Sequence, residues 1–340
     1  MRKLTLATLL VASISVANAQ LDVTNFMNLG RDGIKDIETL AGAYLDPFGK
    51  GMATSLSSGW FNTAAPHRML GFDFTVGVTL TTIPSADKSF NLNDYHWNVL
   101  TYDPNINPIS PTVAGQQSEL LSAGIRISDQ LQLDNILKMP QGANLPALPM
   151  PIVQLGVGLY KGTDIQLRLL PPLTISDYGN INMYGVGIKH DFKQWIPVVN
   201  KLPFDASIAV NYAKVNSTFT KIEYFPTKML TIDRQYIDNE LLPLIDSDSR
   251  IAAEYYDKQE LQFKMSSFSA NLIVSKKLLF LTVYGSLGFS KSSSDINLVG
   301  DYLLPSLELD GITPVLALRN ENIMKNPINI NMKHSSLRSG

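Results

Sequence analysis

From residue 70 onward the chain alternates. Leu70, Phe72, Phe74, Val76, Val78 and Leu80 are separated by Gly71, Asp73, Thr75, Gly77 and Thr79, a period of two that predicts a strand with one apolar and one small or polar face. The same beat recurs at Val153–Leu159 and, after Lys161-Gly162-Thr163, at Ile165–Leu169, which predicts a hairpin with a short glycine-containing turn. Further strands are predicted at Tyr184–Ile188 and Ala206–Tyr212. A second hairpin runs through Leu272 and Val274, turns near Ser275–Lys277, and returns along Leu279–Phe289. Upstream of it, Leu261, Phe263 and Met265 fall on odd positions and Phe268, Ala270 and Leu272 on even ones, so a β-bulge at Ser266-Ser267 is expected to restore one face. With weaker strands at Met52–Phe61, Leu121–Ile127 and Ile328–Met332, the pattern predicts about ten to twelve strands of roughly membrane-spanning length.

Two segments keep a helical period instead. Ile34, Ile37, Leu40, Ala41, Tyr44 and Leu45 predict a helix over Asp32–Leu45, ended by Asp46-Pro47 and the glycines at 49 and 51, and read either as a surface helix or as a plug in a barrel mouth. Phe192, Trp195, Ile196 and Val199 form a short amphipathic stripe, weakened by Pro197, that suits an interfacial helix or a cap over a barrel end. At the start, Met1-Arg2-Lys3, the apolar run Leu4–Val16 and Ala17-Asn18-Ala19 make a secretory signal peptide the expected reading of 1–19, with a short anchor helix as the alternative. The predicted organisation is then a helical plug segment over 20–51 and a barrel over 52–340.

Composition separates a membrane barrel from a secreted sandwich. Over 340 residues the chain is 45% hydrophobic and only 17% charged, yet beyond residues 4–18 it holds no apolar run of the ~18 residues a membrane helix needs. A sandwich shows water a face rich in Lys, Glu and Asp. Here the second face is mostly Gly, Ser, Thr, Asn and Gln with single charges such as Asp73, Arg126, Arg168 and Lys189, which suits a confined aqueous lumen. The connections are uneven as well: tight turns at one end, and polar segments over 83–116, 219–256 and 296–323 at the other. Turn parity asks for one further crossing somewhere in 84–150. Trp60, Phe61, Trp195, Tyr212, Tyr224, Phe225, Tyr255 and Tyr256, near predicted strand ends, are candidates for an interfacial aromatic girdle.

The search for chemistry assigns no catalytic, cofactor-binding or metal-ligating residue. With 0 Cys there is no thiolate site or disulfide, and a net charge of −2 offers no field for nucleic acid. His67, His96, His190 and His334 are widely spaced. The pairs Gly156-x-Gly158 and Gly185-x-Gly187 sit inside strands rather than opening helices, so they read as small lumen residues and not as a dinucleotide site. Asp246 and Asp248, with Glu254 and Asp257, depart from a calcium loop, with Ile251 where glycine is needed and Asp257 where the bidentate glutamate belongs. Asn216-Ser217-Thr218 fits a glycosylation pattern that has no meaning in a bacterial envelope.

Three stretches, Tyr44–Gly51 with Ser58–Ala64, Gly156–Asp164 and Gly187–Pro197, resemble a family of uncharacterised Bacteroidota outer-membrane β-barrel proteins, and the resemblance covers essentially the whole mature chain. It implies an outer-membrane location and no particular function. In layout alone, a helix ahead of a barrel is similar to the fatty-acid and aromatic-hydrocarbon channels of outer membranes. Such barrels close with an aromatic-ended strand, whereas this sequence ends Ser335-Ser336-Leu337-Arg338-Ser339-Gly340. The closing strand is therefore expected to be missing and Ile328–His334 to be an open edge. The functional expectation is a non-enzymatic channel or transporter for small hydrophobic molecules, embedded in outer-membrane lipid and inserted by the barrel-assembly machinery. The alternatives are a structural or assembly protein that binds a partner through its long loops, a general hydrophilic pore, and an enzyme using Asp246, Asp248 and Glu254.

Overall fold

The computed structural model describes residues 23–116, 122–128, 131–174, 179–220, 232–246 and 250–340. The expected leader, Tyr224, Phe225 and Asp248 lie outside them. Eight strands form one curled antiparallel meander in chain order: β1 (Phe72–Thr82), β2 (Ala147–Gly158), β3 (Thr163–Thr174), β4 (Gly179–Asp191), β5 (Asp205–Thr220), β6 (Glu260–Leu278), β7 (Leu281–Val299) and β8 (Asn329–Ser339). The sheet is open: β1 and β8 are its edges and do not pair with each other. Among the described residues the main sheet has eight strands where ten to twelve were expected. The remaining short strands pair among themselves in the long connections, for example Ser306–Asp310 with Thr313–Ala317.

Inside the curl lies α1 (Ile34–Ser57), which touches β1, β2, β5, β6, β7 and β8. It runs twelve residues past the expected stop at Leu45, straight through Pro47, and takes up the stretch from Met52 that was expected to begin a strand. Packing overrides the local stop signals. Met52, Ala53 and Leu56 extend the buried stripe of Ile37, Leu40, Tyr44 and Leu45. The glycines that read as breakers are contact points, since a Cβ on Gly49 would lie 3.0 Å from the His334 ring on β8 and one on Gly51 would lie 3.4 Å from Leu148 on β2. Asp36, wholly buried in the first turn, ties the helix to the 92–102 segment by accepting hydrogen bonds from the backbone N–H groups of Asn98, Val99 and Leu100 and from the Asn98 amide.

Three further expectations are corrected. No additional crossing exists among the described residues of 84–150: β1 and β2 are already antiparallel neighbours, Phe72 opposite Val157, and the segment between them folds into small sheets beyond the ends of the strands. The bulge at Ser266-Ser267 is absent, because β6 keeps an unbroken register from Glu260 to Ser275 with β5 and from Glu260 to Leu278 with β7. Residues 192–204 form two short 3-10 turns, Lys193–Trp195 and Val199–Lys201, rather than one amphipathic helix, with Pro197 between them. The Lys161–Thr163 turn behaves as read, with Lys161 and Gly162 both at positive φ (54° and 64°), whereas Ser275–Lys277, expected to turn, remain in β6 and the β6–β7 turn is Leu279-Phe280.

Candidate functional site

The absent bulge has a physical consequence. Without it, Leu261, Phe263 and Met265 point into the curl, while Phe268, Ala270, Leu272 and Val274 on the same strand point out. The strand therefore inverts its polarity halfway along. Its neighbours invert at the same level. On β5, Ile208, Val210 and Tyr212 face outward, followed by Lys214, Asn216 and Thr218; Lys214 sits opposite Ser266. On β7, Leu281, Val283, Leu287 and Phe289 face outward, followed by Lys291, Ser293 and Asp295. On the inner face the order is reversed: Asn211, Ser269 and Asn271 give way to Val215, Met265, Phe263 and Ile296, which pack on α1.

One half of the sheet is thus an ordinary protein with its apolar side chains inside, and the other half is built inside out. The inverted half carries a continuous apolar outer surface. Phe72, Phe74, Val76, Val78 and Leu80 lead on β1, with Phe74 64% exposed, and Leu167, Leu169, Val186, Ile188, Val210, Leu272 and Phe289 continue it across the sheet. From Leu281 to Phe289 the apolar row spans ~27 Å at the usual strand rise, and an outer-membrane barrel carries an apolar band of about 25 Å. On β4 and β5 the row is shorter, and exposed Trp195, Ile196 and Val198 beyond the strand ends prolong it.

Behind this surface, the polar inner face holds the segment 58–68 that follows α1. Arg168, 1% exposed, stacks 4.0 Å from the Trp60 ring, donates to the Leu56 and Ser58 carbonyls, and bonds Gln154. Gly185 and Gly187 make the room for that ring; a Cβ on either would lie within 2.9 Å and 3.1 Å of it. Asp164, with no exposed side-chain surface, pairs with Lys189 at 3.1 Å and with His67 Nδ1 at 3.0 Å, and accepts from the His67 backbone N–H. Lys189 also donates to the carbonyls of Thr63 and Ala65, and Ser207 donates to that of Ala64. The charges read as scattered lumen residues are, in the cases of Arg168 and Lys189, clamps on an internal segment. Asp73 also faces inward, near His67, while Arg126 lies in the 83–146 connection.

Between the two sheet edges a cleft of ~700 Å³ opens beside α1, walled by Thr79–Thr82 of β1 and by Ser290, Ser292 and Lys333–Ser336 of β7 and β8. Its floor carries Lys50, ion-paired with Asp46 (2.8 Å) and Asp87 (2.7 Å). Burial alone would lower the Lys50 pKa, but these two carboxylates hold it raised.

The girdle residues scatter. Trp60 and Tyr256 are buried, Tyr212 lies within the apolar outer row, and Trp195 projects at the tight-turn end, where its indole N–H reaches His190. His67 joins Asp164, but His96 and His334 are in separate places. Asp246, Glu254 and Asp257 lie in or beside the short helices Leu242–Ile245 and Arg250–Tyr256, and among the described residues no three His, Asp or Glu side chains come together as a metal site. The internal clamp escaped sequence reasoning because its partners, Trp60, His67, Asp164, Arg168 and Lys189, are far apart in the chain; isolated charges on an otherwise uncharged strand face were the available signal.

The model of a family of unknown function, DUF6588, matches residues 1–340. No curated protein and no solved structure matches the chain.

Proposed function

The chain belongs to the DUF6588 family of unknown function, and we propose that it is an outer-membrane β-barrel-type protein that passes small, partly hydrophobic molecules past an internal plug. The observation that carries the reading is the polarity inversion along the strands. The outer rows of β1–β7 form a contiguous exposed apolar surface of the kind that marks a membrane or protein interaction site, and on β5–β7 it stops at one level, where lysines and serines take over. That boundary is what a sheet half in lipid and half in water requires. Closure between β1 and β8 belongs to the proposal, because unpaired edges in hydrocarbon are costly; as first and eighth strands of a meander they run antiparallel and can pair directly or across a hairpin.

Two features favour passage over a purely structural role. The cleft beside α1 mixes hydroxyls (Thr54, Thr81, Ser290, Ser292) with Ile83 and Pro84, a lining for amphipathic rather than strongly charged solutes. Gln166 Oε1, Asn211 Oδ1, Asn271 Nδ2 and Ser294 Oγ are buried on the inner face without a partner among the described residues, and buried polar groups of this kind call for hydration. A second reading, a membrane-held scaffold that presents its long segments, is favoured by the packed cap they form around Ile237, Leu241, Leu303 and Leu318. Uptake of labelled small amphiphiles, aromatics and sugars by cells lacking or expressing the gene separates the two. Gene-dependent uptake of amphiphiles or aromatics supports passage, and unchanged uptake of every solute leaves the scaffold reading.

A further inference from the structure

A second concavity, ~560 Å³ in volume, lies in the 83–146 connection, beyond the apolar outer surface and apart from the cleft and the internal clamp. Its walls are the rings of Tyr95, Trp97 and Tyr102 with Pro104 and Pro108, and its polar groups are Asn93, His96 and Arg126. Tyr95 and Trp97 have ring centroids 5.7 Å apart with planes at 41°, which makes a shallow aromatic trough. Phe90 backs Tyr95 edge-on, and the Trp97 indole N–H is fixed on the Leu92 carbonyl at 2.9 Å. The rings are therefore held in place by groups outside the pocket.

The backbone is held as well. The buried Asp36 carboxylate accepts the N–H groups of Asn98, Val99 and Leu100 at 2.8–3.1 Å, and Leu100-Thr101 pair with Ile125 and Gly124 beside Arg126. By contrast, the polar side chains facing the pocket are unspent. Arg126 and His96 are exposed and have no side-chain partner among the described residues, and Asn93, whose Oδ1 is taken by the Tyr102 hydroxyl, keeps its amide hydrogens free. No carboxylate lines the pocket.

We propose that this pocket is a binding site for an acidic oligosaccharide. The electron-rich face of an aromatic ring attracts the hydrogen-bearing face of a pyranose. The free donors of Asn93 and His96 suit sugar hydroxyls, and Arg126 can take a sugar carboxylate through two parallel hydrogen bonds. A purely apolar ligand would leave these donors buried and unpaired, which costs affinity. The inference needs only the pocket, so it stands or falls independently of the passage reading.

The test is calorimetric titration of the detergent-purified full chain with oligogalacturonate, with neutral malto-oligosaccharide, and with vesicles carrying an acidic glycolipid. Saturable binding of the acidic sugar is expected, with a change in Trp97 fluorescence, at least tenfold weaker in Arg126→Gln and in Tyr95→Ala and partly retained in Arg126→Lys. All three variants alter exposed groups, and an unchanged far-UV spectrum and unfolding midpoint confirm that they fold. If only the vesicles bind, and in an Arg126-dependent way, the sugar is a lipid headgroup and the site stands. No binding by any acidic sugar, equal affinity for the neutral one, or binding that neither Arg126→Gln nor Tyr95→Ala weakens would each overturn it.

Discussion

Three buried side chains, Arg168, Asp164 and Asp36, each hold a piece of irregular backbone in place. Arg168 replaces solvent for the Ser58 carbonyl and the Gln154 oxygen, and truncating it to methionine leaves both acceptors stranded beside Trp60, whereas the Leu56 carbonyl keeps the Trp60 indole N–H. The expected loss is about 3 kcal/mol in denaturant unfolding, since a hydrogen bond to a buried charge contributes roughly 1.5–3 kcal/mol. Asp164→Ala removes the carboxylate that Lys189 and His67 share, and breaking a buried pair from one side costs about 3–5 kcal/mol. The same measurement checks it, with Lys189→Met in the Asp164→Ala background expected to recover part of the loss. Asp36→Ala strips the acceptor from three backbone N–H groups, for an expected cost of about 3 kcal/mol. It should also abolish oligosaccharide binding although Asp36 does not line the pocket.

At the scale of elements, the strands were legible because a period of two survives whichever face is buried, so Phe72–Leu80, Val153–Leu159 and Tyr184–Ile188 could be read directly. The point at which faces exchange roles was not legible. On β6, Met265 and Phe268 differ in parity because one packs on α1 and the other faces outward; a single-face rule turned that exchange into a bulge. The length of α1 was hidden for a related reason, since Pro47, Gly49 and Gly51 stop an isolated helix but here let one lie close against β2 and β8. The hairpin Ser306–Asp310/Thr313–Ala317 gives an element-level prediction. Arg319 bonds Glu308 through two nitrogens and reaches Asp238 at 3.3 Å, tying the hairpin to the 232–246 segment, and it holds the Glu308 carboxyl below its usual pKa. A depressed carboxylate pKa contributes stability that is present above the unfolded value and lost as pH falls through the folded one. Because these groups are partly solvated, the contribution is below about 1 kcal/mol. The protection factor of the Leu318 amide, which donates to the Tyr236 carbonyl, taken relative to the intrinsic exchange rate at each pH, should therefore fall in acid in the wild type. In Arg319→Gln it should already be lower at neutral pH and less pH-dependent.

The whole molecule is organised by one level across its strands, above which the core is inside and below which the apolar surface is outside. A charge placed on that surface discriminates between environments. Leu272→Arg, at a side chain 46% exposed, should be close to neutral in a protein surrounded by water. In lipid it should lower the stability of the inserted form by roughly 2–4 kcal/mol, whereas Gln262→Arg on the same strand above the boundary should cost little in either case. The absence of cysteine allows the more direct measurement, nitroxide labelling of single introduced cysteines in lipid vesicles. Labels at Val210, Leu272 and Val283 should be accessible to oxygen and shielded from a water-soluble nickel relaxant, while labels at Asn216, Gln262 and Asn297 should show the opposite. Equal nickel accessibility at all six positions would contradict the account.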